Sequence, residues 1–320
     1  MTSHLPSIPR RGAVAALAAG LGLTLALSAC GGSSNPLSSG GASSSAASGG
    51  SKTLVVGSAD FTESQIIAEL YAGALNAAGI PATTKPNIGA REVYYKAVQD
   101  DSIDIVPDYT GNLLLYLDPK ATQVSASDIA SALPNKLPKG LGVLDPAQAE
   151  DKDAMVVTKA TATKYSLESI ADMSKVCSDL VIGAPATFEQ RAYGLPGLKS
   201  KYNCVPKQFQ PFNDGGGPVT LKALLSNDIQ VADIFTTTPS IPDNDLVVLA
   251  DPKNNFIAQQ VVPLVNTANL TDAAKKVLNN VSSKLTTTDL INLNRAVSGN
   301  QKQSPADAAK AWLKDKGLAS

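Results

Sequence analysis

The strongest constraint on the fold is a β-branched strand that ends near a glycine and runs almost directly into a helical segment. Residues 53–58 (TLVVGS) have the apolar, β-branched composition of a buried strand. After a short polar stretch, Asp60 or Thr62 is the predicted N-cap of a helix that ends near Gly79. In sheets built from alternating strands and helices, this arrangement brings polar side chains to the carboxyl edge of the strands, where ligands bind.

The same unit recurs along the chain. Further strands are predicted at residues 103–107, 180–183, 229–235 and 261–265. Segments with helical spacing lie between them, and the chain ends in a mostly helical tail. Two such series predict an α/β fold with two lobes.

The predicted domain boundaries lie where the first series of alternating strands and helices ends and the second begins. Lobe I is predicted to comprise residues 52–155 and 258–320, and lobe II residues 156–257. The strands near residues 155–157 and 261–262 are then the predicted crossings between the lobes.

Residues 1–30 are predicted to be a lipoprotein signal peptide. Two arginines at positions 10 and 11 are followed by residues 12–27, which are small or apolar and uncharged. Such a run suits a signal peptide and is short for a membrane-spanning helix. The following LSAC sequence resembles the lipobox of bacterial lipoproteins, in which Cys30 is the lipidated residue. The alternative is an ordinary secretory signal with a chance cysteine.

Residues 31–51 are almost wholly Gly, Ser and Ala. This composition cannot bury a core and predicts a flexible tether between the lipid anchor and the folded part. Together with the lipobox, it predicts an exported protein that is anchored to the outer face of the cell membrane.

The histidine count and the charge exclude several function classes. The single histidine, His4, lies in the predicted signal peptide, so the mature chain lacks a Ser-His-Asp triad and a histidine metal ligand. We therefore predict no enzyme activity, metal or cofactor. Removing Arg10 and Arg11 leaves 25 of the 27 basic side chains against 28 acidic ones, a formal charge of −3. A mildly acidic chain lacks the excess of basic side chains that nucleic-acid binding requires.

Two cysteines remain once Cys30 is acylated. Cys177 and Cys204 are predicted to form a disulfide, because an even pair in an exported protein is typical of a disulfide rather than of a nucleophile or a metal site.

Several short motifs, in order along the chain, resemble those of one transporter family. Residues 57–63 (GSADFTE) resemble its GSKNFTE opening, and residues 107–111 (PDYTG) resemble PEYTG. Residues 191–198 (RAYGLPGL) are similar to R-x-x-GLPGL, and residues 231–237 (VADIFTT) to V-A-x-x-Y-x-T-D. Residues 262–265 (VPLV) resemble APLV. On these motifs the chain is identified as an actinobacterial, ProX-like member of the substrate-binding lipoproteins of glycine betaine/carnitine/choline/proline ABC transporters.

This resemblance implies a fold and a function. The fold is the two-lobed periplasmic-binding-protein fold of type II, with a hinge of crossing strands. The function is capture of a small osmoprotectant between the closing lobes and its delivery to an ABC permease with its ATPase. The resemblance also implies a monomer that is not an enzyme.

The chemistry of such ligands suggests which residues bind them. A quaternary ammonium cannot donate a hydrogen bond, so aromatic faces must hold it, and a ligand carboxylate requires Arg or other donors. The predicted ligand-binding residues are Asp60, Phe61, Thr62, Arg91, Tyr95, Asp108, Tyr109, Thr110, Asn112, Arg191, Tyr193, Phe235 and Thr236. The alternatives are that the aromatic residues pack in the core or lie on the surface, and that the arginines pair with neighbouring acids such as Glu92 or Glu189.

The motifs also depart from the family pattern. Ala59 stands where the family has a basic residue, Phe235 replaces a tyrosine, and residues 256–260 lack a further aromatic motif. We therefore expect an incomplete aromatic cage. The alternative function is a sensing or scavenging lipoprotein that binds a non-betaine ligand such as a polyol or polyphenol. A hydrolase using Asp104 and Asp108 is the remaining alternative.

Overall fold

The computed structural model describes residues 52–320 except Asn213, Asn300 and Ser320. The predicted signal peptide, the predicted lipidation site Cys30 and the whole of the predicted tether lie outside the described residues. Gly50–Ser320 form a compact unit of their own. No helix within the described ranges is long and apolar enough to cross a bilayer.

Short, buried strands form two sheets. The strands are β1 (Leu54–Gly57), β2 (Ala82–Lys85), β3 (Ile105–Tyr109), β4 (Leu141–Val143), β5 (Asp153–Val157), β6 (Val181–Pro185), β7 (Gln208–Phe212), β8 (Val231–Phe235), β9 (Val247–Val248) and β10 (Val261–Asn266). The first sheet has the order β2-β1-β3-β10-β4 and the second the order β7-β6-β8-β5-β9. Each sheet combines parallel strands with antiparallel ones, because β10 runs against β3 and β4 while β5 runs against β8 and β9.

Helices cover the faces of both sheets. They are α1 (Thr62–Ala77), α2 (Arg91–Gln99), α3 (Thr110–Leu117), α4 (Ala126–Ala132), α5 (Lys159–Tyr165), α6 (Ile170–Met173), α7 (Leu195–Tyr202), α8 (Pro218–Leu225), α9 (Ser240–Asp243), α10 (Asp272–Lys284), α11 (Thr287–Ser298) and α12 (Pro305–Asp315). We call the first sheet with α1–α4 and α10–α12 lobe I, and the second sheet with α5–α9 lobe II.

The helical tail is part of the core of lobe I. Ile66 and Leu70 of α1 are fully buried in the same cluster as Leu278 of α10, Leu290 of α11 and Trp312 of α12. The apolar faces of these amphipathic helices thus cover one another and the sheet. The tail therefore closes lobe I rather than forming a separate domain.

The start of α1 differs from the prediction. The N-cap is Phe61, in an extended conformation, and its side chain cannot accept a hydrogen bond. The expectation that Asp60 or Thr62 caps this helix was wrong. No side chain caps this helix, and the Ser64 hydroxyl accepts a hydrogen bond from the Ala59 amide in the preceding loop at 3.0 Å.

The chain crosses between the sheets slightly earlier than predicted. β5 belongs wholly to the second sheet, so the crossing precedes Asp153 instead of lying at residues 155–157. The return crossing precedes β10, which lies wholly in the first sheet. The two crossings run side by side, joined by a bridge between Glu150 and Gln260. Gly111 packs against the carbonyl of Ala258 in the return crossing, where a Cβ atom would collide.

Lobe II contains the disulfide between Cys177 and Cys204, whose Cα atoms are 5.4 Å apart. Both cysteines are buried in the main core of this lobe. The bond ties the turn before β6 to the end of α7.

Replacing Cys177 and Cys204 together with alanine is expected to lower the free energy of unfolding by roughly 3 to 4 kcal/mol. Without the disulfide, the unfolded chain regains the conformational entropy that closing a loop of this length removes. For a sequence separation of 27 residues, that entropy corresponds to about this free energy. Urea denaturation of the double variant and the wild type measures the difference. A change below about 1 kcal/mol would contradict the expectation.

Candidate functional site

The predicted site residues gather in separate groups around the crossing segment Glu150–Asp153. The first group belongs to lobe I. The Tyr109 hydroxyl donates a hydrogen bond to Glu63 Oε1 at 2.6 Å, and the rings of Phe61 and Tyr109 stack with centroids 6.2 Å apart. The Phe61 side chain is 43% exposed, so one aromatic face at this position is open to solvent.

Glu63 connects this group to lobe II. Its Oε2 accepts a hydrogen bond from Asn294 Nδ2 at 2.7 Å, and the same nitrogen lies 3.3 Å from the carbonyl oxygen of Thr237. The Thr237 amide in turn donates to Asp151 Oδ1 at 3.3 Å. Burial, reinforced by the charge of Glu63, raises the pKa of Asp151 well above its ordinary value, and burial likewise raises the pKa of Tyr109.

Arg91 and Asp108 form an ion pair in which Asp108 is fully buried and Arg91 is partly buried. The Arg91 guanidinium donates to Asp108 through Nη2 at 2.7 Å and through Nε at 3.2 Å. Asp108 is fully buried, and its Oδ1 also accepts from the Tyr109 amide at 2.7 Å. Burial opposes the charge on Arg91, but Asp108 outweighs it and raises the pKa of the guanidinium. The partner of Arg91 is therefore Asp108, not Glu92.

Other predicted residues of lobe I have structural contacts. Tyr95 is buried and packs edge-on against Tyr116 at 5.1 Å. The buried Thr110 hydroxyl accepts a hydrogen bond from the amide of Gln260 at 3.1 Å, which fastens α3 to the return crossing. Asp60 and Thr62 are exposed beside Phe61.

The second group belongs to lobe II. Arg191 donates a hydrogen bond to the Tyr193 hydroxyl, and its guanidinium lies 5.5 Å from the centre of the Tyr193 ring. The Tyr193 ring packs edge-on against Phe188 at 6.3 Å and Phe256 at 6.0 Å. Burial raises the pKa of Tyr193 to about 12, so the phenol is neutral at physiological pH. The partner of Arg191 is thus Tyr193 rather than Glu189.

Phe235 and Thr236 lie at the end of β8, next to the crossing. Phe235 is 39% exposed and pairs in register with Asp153. The Thr236 hydroxyl accepts from the Lys152 amide at 3.1 Å and donates to the Glu150 carbonyl at 3.4 Å. Thr236 therefore holds the crossing segment against lobe II.

A carboxyl pair in lobe II was not predicted. Asp153 at the start of β5 and Asp233 in β8 lie diagonally across paired strands, and burial raises the pKa of both. Asp233 is 5% exposed, and its Oδ1 has no hydrogen-bond partner among the described residues. The signal was present in the sequence, since Asp233 is a charged residue inside an otherwise apolar strand.

A cavity of about 220 Å³ lies between the lobes. Its walls come from α3 and the loop after it, from both crossings and from lobe II. Residues with polar or aromatic side chains on these walls include Asn112, Gln123, Asp153, Tyr193, Asn255, Phe256 and Gln259. Of the predicted site, Asn112 and Tyr193 line the cavity, whereas Phe61, Tyr109 and Phe235 lie outside its lining.

The charges at the cavity are mostly paired within the chain. Lys152 forms an ion pair with Glu150 at 2.8 Å, and Lys201 donates to the carbonyl of Asn254 at 2.6 Å. In the described ranges, no group of three or more acidic, Cys or His side chains is arranged to hold a metal ion. The site offers aromatic rings, carboxylates and carboxamides, which are suited to holding a small polar or cationic molecule.

Comparisons with known proteins agree with this fold. Residues 52–315 match the family described as the substrate binding domain of ABC-type glycine betaine transport systems. The glycine betaine-binding protein YehZ of Escherichia coli (strain K12) is 28% identical over 211 residues, covering 62% of this chain and 68% of that protein. The carnitine transport binding protein OpuCC of Listeria monocytogenes is 25% identical over 273 residues, covering 82% of this chain and 86% of that protein.

A solved structure described as a glycine betaine/carnitine/choline ABC transporter is 24% identical and superimposes with a TM-score of 0.76. The superposition covers 83% of this chain and 99% of that one. It confirms the predicted two-lobed α/β periplasmic-binding-protein fold.

Replacing Arg91 with methionine is expected to lower the free energy of unfolding by about 3 to 5 kcal/mol, because it leaves the charge of Asp108 buried without its partner. Arg295→Met is the matched control. Arg295 also contacts an aspartate, Asp243, with two nitrogens, but that pair is exposed, so its loss is expected to cost about 1 kcal/mol or less. Equal losses in the two variants, measured by urea denaturation, would contradict the prediction.

Stability is expected to fall as the pH rises from about 5 to 8. Asp151, Asp153 and Asp233 have folded-state pKa values raised above the ordinary 3.8, so the folded state binds more protons than the unfolded state in this window. Unfolding is then favoured as the pH rises through the raised values. Acids with lowered pKa values, such as Asp172, act only below this window.

Replacing Asp233 with asparagine is expected to reduce this fall, since asparagine carries no charge to bury. Asp228→Asn, at an exposed position in the same lobe, is expected to keep the wild-type slope. Thermal unfolding between pH 5 and 8 measures both. The prediction is wrong when the Asp233→Asn profile matches that of the wild type.

Proposed function

The chain belongs to the family of substrate binding domains of ABC-type glycine betaine transport systems, and from this membership we propose that it captures a small osmoprotectant for an ABC importer. The proposed ligands are the quaternary ammonium solutes glycine betaine, choline and carnitine, and the related solute proline. Two relatives are described as binding proteins for glycine betaine and for carnitine transport, which supports this class of ligand.

The cavity between the lobes is the observation that carries the proposal. Its volume of about 220 Å³ lies below the roughly 300–1,000 Å³ of sites for drug-sized ligands, so it suits a small solute. Residues of both lobes contribute to its walls, so a bound solute contacts both lobes at once. A ligand in this position stabilises the closed arrangement of the lobes.

Aromatic side chains supply the expected chemistry at one wall. The Tyr193 and Phe256 rings both line the cavity, and Phe188 supports them from behind. A quaternary ammonium placed against such rings gains on the order of 0.5 to 2 kcal/mol from the ring quadrupole. Phe61 and Phe235, one from each lobe, are half-exposed aromatic residues available for further contact with the solute when the lobes move.

Transport then follows from motion about the crossings. The crossing and its return are the two covalent connections between the lobes in the described part of the chain, which makes them the hinge. A solute that contacts both lobes favours the closed form, and the permease with its ATPase receives it from that form. We further propose that Cys30 carries a lipid anchor and that the protein acts as a monomer at the outer face of the membrane. Residues 31–51 then form a flexible tether that lets the folded part contact the permease.

A polyol is the second candidate ligand, and the carboxamides favour it. Asn112, Gln123, Asn255 and Gln259 surround the cavity with groups that donate and accept hydrogen bonds. Under this alternative the protein senses or scavenges a hydroxylated, uncharged ligand.

Isothermal titration calorimetry of residues 50–320 tests the proposal. We expect glycine betaine, choline, carnitine or proline to bind with a dissociation constant in the micromolar range or below. Binding of a polyol but of none of these four solutes would transfer the proposal to the second candidate, and binding of neither class would contradict both.

Replacing Tyr193 with alanine is expected to weaken the binding of the preferred quaternary solute about 10-fold, because a cation–π contact of about 1 to 2 kcal/mol is lost. Tyr165→Ala is the control. Tyr165 is also a half-buried tyrosine of lobe II with a cation, Lys164, 4.7 Å from its ring centre, but it does not line the cavity. Equal effects of the two substitutions on affinity would contradict the role of Tyr193.

A further inference from the structure

The carboxyl pair of Asp153 and Asp233 reaches the wall of the cavity between the lobes. Asp153 lines the cavity together with Tyr193. Asp153 pairs in register with Phe235, and Asp233 precedes Phe235 by two residues on the same face of β8. Asp233 is therefore a diagonal neighbour of Asp153 and is buried.

One acceptor position of this pair has no donor. Asp233 Oδ1 is buried and has no hydrogen-bond partner within the described residues. Lys152 pairs with Glu150 and Lys201 donates to a backbone carbonyl, whereas Arg191, which donates to the Tyr193 hydroxyl, is the cation whose charge acts on both carboxyl groups. A buried acceptor without a donor costs free energy, and Asp153, which lines the cavity, is the member of the pair whose carboxylate a ligand can reach.

A fully methylated ammonium group cannot supply a donor, because it has no N–H. A hydroxyl group on the same solute can, since its O–H donates to a carboxylate oxygen while the methyl groups contact the aromatic rings. Tyr193 and Asp153 both line the cavity, which places an aromatic face and a carboxylate within reach of one small solute.

We propose that Asp153, supported by Asp233, is a specificity-determining residue that accepts a hydrogen bond from a hydroxyl group of the bound solute. The site therefore selects hydroxylated quaternary ammonium solutes over solutes of the same skeleton without the hydroxyl. This inference rests on the proposed capture of quaternary ammonium solutes and adds the feature of the solute that lobe II recognises.

Two pairs of solutes test the inference, each differing in one hydroxyl group. Carnitine is compared with γ-butyrobetaine, and choline with ethyltrimethylammonium, by calorimetry on residues 50–320. In at least one pair, the hydroxylated member is expected to bind about 10- to 100-fold more tightly, the factor typical of a hydrogen bond to a charged group. Equal affinities within both pairs would overturn the inference and leave the proposed function intact. Failure of all four solutes to bind while glycine betaine or proline still binds would overturn the inference alone, and failure of all six would overturn both.

Variants assign the preference to Asp153. The Asp153→Ala variant is expected to bind both members of the selective pair within about 2-fold of each other, because the acceptor is gone. Asp153→Asn keeps an acceptor oxygen without the charge, so it is expected to lower both affinities and retain a preference. Asp228→Ala removes an exposed carboxylate of the same lobe and is the control for net charge. An unchanged preference in Asp153→Ala would overturn the role of this residue.

Discussion

The structure depends on the pairing of the two segments that cross between its sheets. The Asp151 amide donates to the Gln259 carbonyl at 3.2 Å, and the Val261 amide donates to the Ala149 carbonyl at 3.0 Å. The Glu150 side chain accepts from the Gln259 amide at 3.1 Å, so the crossings are also joined through a charged group. Because buried backbone groups need such partners, these hydrogen bonds fix the position at which each lobe begins. They also place the hinge axis of the two lobes along the paired crossings.

The crossings also concentrate the polar chemistry of the molecule. Glu63 and Asn294 of lobe I meet Thr237 of lobe II beside Asp151, and Asp153 begins the first strand of lobe II a few residues later. Holding these acids away from water raises the pKa values of Asp151 and Asp153, which is a cost to folding at neutral pH. Acids retained at such a cost, next to a cavity between two lobes, are candidates for contact with a ligand.

Local pattern accounts for much of the fold and for less of the site. The buried strands and the helical tail follow from hydrophobic periodicity, because each depends on a short stretch of chain. The pairing of Cys177 with Cys204 follows from the cysteine count, because two cysteines can form a single intrachain disulfide. The insertion of β10 between β3 and β4 does not, since its neighbours come from the distant first half of the chain. The contact between Glu63 and Asn294, 231 positions apart, is equally invisible to local pattern. Asp233 is the exception, because a charged residue within an otherwise apolar strand is visible in the sequence.

A crystal structure of residues 50–320 with the tightest-binding quaternary ammonium solute tests the central claim most directly. The account predicts the solute between the lobes, with its ammonium group against the Tyr193 ring and its hydroxyl group within hydrogen-bond distance of Asp153. A solute bound outside this cavity, or bound to one lobe without touching the other, would contradict it.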